Sequence, residues 1–145
     1  MKIFIASDHA GFELKQKLLE HLQSRGRDVI DLGPPELNPD DDYPLTLLPV
    51  AKKVAKTKGS AGIVIGGSGQ GEAIEVNRTK GVRAAVYYGG PQEIIKLSRR
   101  HNDANVLALG ARFVSLKEAI DAVELWLSTP FSNEERHTRR VKELG

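Results

Sequence analysis

The pattern of apolar and polar positions predicts short strands alternating with amphipathic helices from one end of the chain to the other, the sign of repeated βα units around a parallel sheet. Ile3-Phe4-Ile5-Ala6 reads as a strand buried on both faces, and Leu14, Leu18, Leu19 and Leu22 then fall at helical spacing, with Gly26 where a helix stop is expected. Val29-Ile30-Asp31-Leu32 predicts a second strand. The segment Gly33 to Pro44 carries four prolines and the run Asp40-Asp41-Asp42 and predicts a surface loop. Leu47, Ala51, Val54 and Ala55 mark the next helix, and Gly62-Ile63-Val64-Ile65 a third strand. A fourth strand is expected at Ala84 to Tyr87. It is followed by a helix with Pro91 at its first position that ends near His101-Asn102. Val106-Leu107-Ala108-Leu109 is the fifth strand. Ser115 with Glu118 makes a capping box for a helix whose buried stripe is Leu116, Ala119, Ile120, Val123 and Leu127. Ser132 with Glu135 makes a second capping box, opening a last helix that is polar almost all round and so suited to packing against another chain.

The expected fold is therefore α/β, one domain over residues 1–145, a Rossmann-like three-layer sandwich with a five-stranded parallel sheet and an extra C-terminal helix. Composition narrows the function. The 145 residues are 40% hydrophobic and 28% charged, which excludes disorder, and a net charge of +2 gives no ground for a nucleic-acid partner. There is no cysteine, so disulfides, thiolate ligands and a cysteine base are excluded. No apolar run approaches the roughly 18–20 residues of a membrane span. No membrane partner is expected, and the expected location is cytoplasmic.

In an open parallel sheet, ligands sit outside the carboxyl ends of the strands. Asp8 and His9 follow the first strand, Gly66-Gly67-Ser68-Gly69-Gln70-Gly71-Glu72 the third, and Gly110-Ala111-Arg112 the fifth, while His101-Asn102 lies in the approach to the fifth. The glycine loop offers backbone amides and a helix dipole to a phosphate or a developing oxyanion; its glycines alternatively serve only a tight turn. Glu72 and Ala73 stand where a Walker loop needs Lys and then Ser or Thr, which argues against ATP, and the loop lacks the spacing of a dinucleotide fingerprint. A phospho-receiver would need an acidic residue where Gly66 stands and a lysine where Gly110 stands. Glu72 reads either as a helix cap or as a general base held ionised by the helix terminus. Ser68 can add a hydroxyl donor to an oxyanion. No His pair has metal-ligand spacing. Arg136, Arg139 and Arg140 form either a solvated face or a phosphate clamp, and a clamp on so polar a helix would act across a dimer.

Asp8-His9-Ala10-Gly11, the loop Gly66 to Glu72, His101-Asn102-Asp103 and Arg136-His137-Thr138-Arg139-Arg140 together resemble the type B ribose-5-phosphate isomerase family, almost end to end. The resemblance implies an aldose–ketose isomerase that interconverts ribose 5-phosphate and ribulose 5-phosphate through an enediolate. Close relatives act on six-carbon sugar phosphates, and no metal or organic cofactor is implied. One branch of the family uses a cysteine at the position of Gly66 as the base; this chain resembles the branch in which Glu72 takes that role. By the same resemblance, Ser68 and the amides of Gly67, Gly69, Gln70 and Gly71 hold the oxyanion, joined by Asn102. His101 is the acid that opens the sugar ring, assisted by Asp8. His9, Arg112, Arg136 and Arg140 bind phosphate, and Tyr43 lines the sugar pocket. Arg136 and Arg140 are implied to come from the neighbouring subunit of a homodimer, with pairing into tetramers left open. The other class considered is a noncatalytic sugar-phosphate sensor that keeps the glycine loop.

Overall fold

A computed structural model describes residues 1–145. Its elements run β1 (Lys2–Ser7), α1 (Phe12–Ser24), β2 (Asp28–Asp31), α2 (Tyr43–Lys56), β3 (Ala61–Gly66), α3 (Gln70–Asn77), β4 (Ala84–Tyr87), α4 (Glu93–Arg100), β5 (Val106–Gly110), α5 (Leu116–Ser128) and α6 (Glu135–Leu144). The five strands form one parallel sheet in the order β2-β1-β3-β5-β4, with Ile3 beside Ala61 and Gly62 beside Val106. This is the Rossmann-like α/β fold that the alternating pattern predicts.

Strand side chains point alternately to opposite faces, so continuous apolar runs must be covered twice. Ile3, Ile5, Ile63, Ile65, Leu107 and Leu109 meet Leu18 and Leu22 of α1, Ile95 of α4, and Ala119, Val123 and Trp126 of α5. Phe4, Ala6, Val64, Val106 and Ala108 meet Leu47, Val50, Ala51 and Val54 of α2 and Ala73 and Val76 of α3 on the other face. The helices thereby fix where each strand ends, and the strand ends carry the polar residues.

Several boundaries differ from expectation for local reasons. The proline-rich loop stops at Asp42, the N-cap of α2, so Tyr43 and Pro44 belong to the first turn, where the missing N–H of proline breaks no helical bond. Pro91 precedes Gln92, the N-cap of α4, and lies just outside the helix. The capping box of Ser115 and Glu118 forms, but the stripe of α5 is rotated: Leu116 is exposed, while Ala122 and Trp126 join the buried face. The second capping box does not form. α6 begins at Glu135 with Glu134 as N-cap, and the hydroxyl of Ser132 is held instead by the ring Nδ1 of His137 at 2.9 Å.

Trp126 is 1% exposed, and its face lies 5.3 Å from the Arg99 guanidinium. Trp126→Ala should cost about 3–5 kcal/mol in urea unfolding, against about 1 kcal/mol for Ser115→Ala, which loses only a helix cap. Equal costs would mean that this core does not depend on the indole.

Candidate functional site

Because all strands are parallel, the turns after β1, β3 and β5 open on one edge of the sheet. β3 ends at Gly66, and the chain turns through Gly69 into α3. Gly69 has φ 80°, and a side chain there would press to 3.1 Å from the Leu109 carbonyl carbon, so the turn needs glycine for its dihedral as well as its size. The Ser68 hydroxyl accepts the Gln70 amide at 3.3 Å. The result is a helix start with its amides directed at the space in front of β3.

Glu72 is the third residue of α3 and is only 4% exposed. Its carboxylate lies against bare backbone: a Cβ on Gly66 would sit 1.9 Å from Oε1 and 2.0 Å from Cδ. Burial pushes the Glu72 carboxyl above its usual range, and the charge of Asp8 adds to the rise; the Glu72 and Gly69 amides pull it down. The expectation that the helix terminus holds it ionised is thus only half met, because desolvation outweighs the amides. An acid poised upward in this way is a stronger proton acceptor once ionised. Asp8 itself is buried and accepts the Gly11 amide at 3.1 Å. A side chain on Gly11 would meet the Ile65 carbonyl at 2.6 Å, so the β1 turn packs directly on β3 and brings Asp8 toward Glu72.

Around this carboxylate stand further groups expected at the site. The Arg112 amide donates to the Gly67 carbonyl at 3.1 Å, and its guanidinium lies where a Gly67 Cβ would find it at 3.1 Å. The Arg112 charge also acts on His9, which places the guanidinium and the imidazole on one side of the glycine loop. The Tyr43 ring approaches Gly71, where a Cβ would be 2.8 Å from Cζ. Asp8, His9, Tyr43, Ser68, Glu72, Arg112 and the loop glycines therefore form one cluster.

His101, Asn102, Arg136 and Arg140 form another. His101 is the C-cap of α4 and lies ahead of β5, so it and Asn102 occupy the amino edge of the sheet. The Glu72 loop lies at the carboxyl edge, about 16 Å away along a five-residue strand. This corrects the expectation that groups His101 and Asn102 with the glycine loop of their own chain; Arg136 and Arg140 were implied to come from a neighbouring subunit. The Ser132 amide donates to the Arg100 carbonyl at 3.1 Å, and the buried His137 ring lies 4.2 Å from that of His101, so α6 is bound to the same edge. Arg136 and Arg140 are exposed there, with Arg136 Nε 3.1 Å from Glu134.

Three residues of the site's framework escape the sequence reading. Lys15 is fully buried; its ammonium reaches Asp31 at 2.8 and 3.1 Å and the Pro34 carbonyl at 3.4 Å, anchoring the start of the loop that leads to α2. Its signal was a lysine in register with Leu18 and Leu22 on an apolar stripe. Asp41 binds His9 and was hidden in an acidic run. His137 lay among arginines.

A buried carboxylate beside an amide cradle and a guanidinium suits the movement of protons on an anionic substrate. The family model described as Ribose/Galactose Isomerase matches residues 3–144, and the chain belongs to that family, as an aldose–ketose isomerase. It is 39% identical to ribose-5-phosphate isomerase B of Mycobacterium tuberculosis over 145 residues, covering 100% of this chain and 88% of that protein. Among solved structures it resembles ribose-5-phosphate isomerase B of Mycoplasma genitalium with bound ribulose-5-phosphate. There the TM-score is 0.93 and the identity 41%, over 99% of this chain and 93% of that one. It likewise resembles the Clostridium thermocellum enzyme, with TM-score 0.93 and 44% identity over 100% and 95% of the two chains. No helix of the chain is long and apolar enough to cross a membrane.

A carboxyl whose pKa is raised by folding favours the fold when protonated. Stability falls as pH rises from the ordinary value of 4.5 through the raised one and is lowest above it. Glu72→Gln should therefore raise Tm at pH 7 by about 2–5 °C, and by little at pH 4. A lower Tm at pH 7 would mean that the ionised carboxylate supports the fold.

Proposed function

We propose that the protein interconverts ribose 5-phosphate and ribulose 5-phosphate, with Glu72 as the base and with each active site built from two copies of the chain. The observation that carries the reading is the Glu72 carboxylate, buried against Gly66 at the head of the amide cradle. Glu72 takes the proton from C2 of the open-chain aldose; the C2–H pair becomes the C1=C2 bond, and charge collects on O1. The amides of Gly67, Gly69, Gln70 and Gly71 and the Ser68 hydroxyl hold that oxyanion. The carboxyl returns its proton to C1, and one proton passes from O2 to O1, so reactant and product have the same atoms.

His9 and Arg112 take the phosphate, and Tyr43 flanks the sugar. The remaining groups lie at the wrong edge of their own sheet to reach it. A homodimer resolves this: His101, as ring-opening acid assisted by Asp8, Asn102 as a further oxyanion donor, and Arg136 and Arg140 as phosphate ligands come from the neighbouring subunit. The packing of His101 on His137 makes them travel with α6 as one unit. Phosphorylated sugars are retained inside cells, which assigns the enzyme to the cytoplasm. The family description pairs ribose with galactose, so a six-carbon sugar phosphate is the second reading.

Turnover of ribose 5-phosphate and of allose 6-phosphate measured side by side decides between the two. The expected result is preference for the pentose, with Glu72→Gln lowering kcat by about 100- to 10,000-fold at little cost in KM. Preference for the hexose would transfer the same mechanism to the second reading, and unchanged turnover in the variant would remove Glu72 as the base.

Subunit sharing has its own measurement. Glu72→Gln and His101→Ala homodimers should each be inactive, and a dissociated and reassociated equal mixture should recover roughly a quarter of wild-type activity, because half the dimers are hybrids with one intact site. No recovery in demonstrated hybrids would mean that each chain supplies its own histidine.

A further inference from the structure

His9 is held by a residue that lies 32 positions away in sequence and on another element. Asp41 Oδ1 accepts both the His9 backbone amide at 3.1 Å and the ring Nδ1 at 2.7 Å, and the Asp41 side chain is 8% exposed. The segment bearing Asp41 is fixed at both ends. Asp31, paired with Lys15, accepts the Gly33 amide at 2.9 Å where the loop leaves β2, and where it ends the Asp42 carbonyl accepts the Leu45 and Thr46 amides at 3.0 and 3.4 Å as α2 begins. Between them the Asp41 amide donates to the Asn38 carbonyl at 3.3 Å. A carboxylate has no proton to give, so a 2.7 Å contact with it assigns the hydrogen to Nδ1 and leaves Nε2 as the ring nitrogen available to a ligand.

We infer that Asp41 is a positioning residue for phosphate capture: from the proline-rich loop it fixes the orientation of the His9 imidazole and gives a protonated ring its countercharge, so that Nε2–H meets the phosphate as a charged donor. The inference rests on the reading of His9 as a phosphate ligand. Its chemistry is that of a carboxylate–histidine pair aimed at an anion. A neutral imidazole offers a phosphate one donor only in the right tautomer, whereas an imidazolium offers a charge-assisted one in any case. The groups facing the ring are Asp41 from the loop, Asp8 from the β1 turn and Arg112 from the turn after β5. The hydrogen bond that His9 donates to Asp41, together with the charges of Asp8 and Asp41, holds His9 above the ordinary histidine range, against partial desolvation and the Arg112 cation. Phosphate approaching Arg112 would offset the one opposing cation.

The test pairs Asp41→Asn with His9→Ala and measures kcat and KM for ribose 5-phosphate between pH 5.5 and 8.5. With wild type compared at the same pH, ionisation of the substrate cancels. Asp41→Asn should raise KM about tenfold at pH 8 and within about threefold at pH 5.5, where the imidazole protonates unaided, with kcat nearly unchanged throughout. A merely loosened loop would raise KM equally at every pH, and that result would overturn the inference. If His9→Ala raises KM while Asp41→Asn does not, Asp41 has no such role although His9 binds phosphate. If His9→Ala leaves KM unchanged, the phosphate reading of His9 fails and takes the inference with it. A measurement that needs no variant is the nitrogen chemical shifts of His9 in the wild-type protein. Nδ1 should stay protonated at pH 8, and the ring should titrate above 6.5; a deprotonated Nδ1 or a lower midpoint would also overturn the inference.

Discussion

The carboxylate of Glu72 occupies the volume that a side chain on residue 66 would fill, and the rest of the site is arranged around that substitution of one residue's space by another's. On the proposed reading of Glu72 as the base, it must be close to the sheet edge to meet a substrate held by the loop amides, and it must be dry enough to want a proton. Gly66 meets the first need by offering no side chain, and burial meets the second by disfavouring the ionised form. Any side chain at position 66, a cysteine included, would collide with this placement of Glu72. The cost falls on stability, as is usual for an ionisable group kept out of water for function.

A parallel sheet separates its two edges by the length of its strands, and on the proposed mechanism this sets the need for a second copy of the chain. The turns after β1, β3 and β5 carry Asp8, His9, Glu72 and Arg112 to one edge, whereas His101, Asn102 and α6 lie at the other. A concavity of about 640 Å³ at the amino edge, lined in part by Arg78, Arg83, Asn102 and Leu144, belongs to this second half. In the proposed homodimer a histidine and two arginines act with Glu72 because a second sheet presents its amino edge to the first. The polar character of α6 suits that proposal, since a helix that served a neighbour's ligand would have little apolar surface to bury on its own core.

The loop from Gly33 to Asp42 shows how buried ion pairs can serve placement rather than stability. Lys15 is fully enclosed, an arrangement whose desolvation cost its contacts with Asp31 and Pro34 offset without large net gain. What the pair secures is the path of the chain: the loop leaves β2 in a fixed direction, and Asp41 arrives at His9 instead of remaining in solvent with Asp40.

The sequence by itself determined the parallel sheet, because uninterrupted apolar runs of four residues spaced by helical periods have no other way to be buried on both faces. It also determined which residues stand at strand ends, and hence Asp8, His9, the glycine loop, Glu72 and Arg112 as one group, together with the absence of a thiol base. Periodicity put Leu116 and Ile120 on the buried stripe of α5, where packing on the sheet instead buries Ala122 and Trp126, and it placed Ser132 in a cap where a tertiary partner, His137, captures its hydroxyl. It could not separate Asp41 from its two acidic neighbours or recognise Lys15 as buried, since their partners lie 32 and 16 residues away. Those choices, and the assignment of His101 to the far edge, belong to the tertiary structure: local pattern records which face of an element is apolar, whereas long-range pairing depends on where the sheet carries each end of the chain.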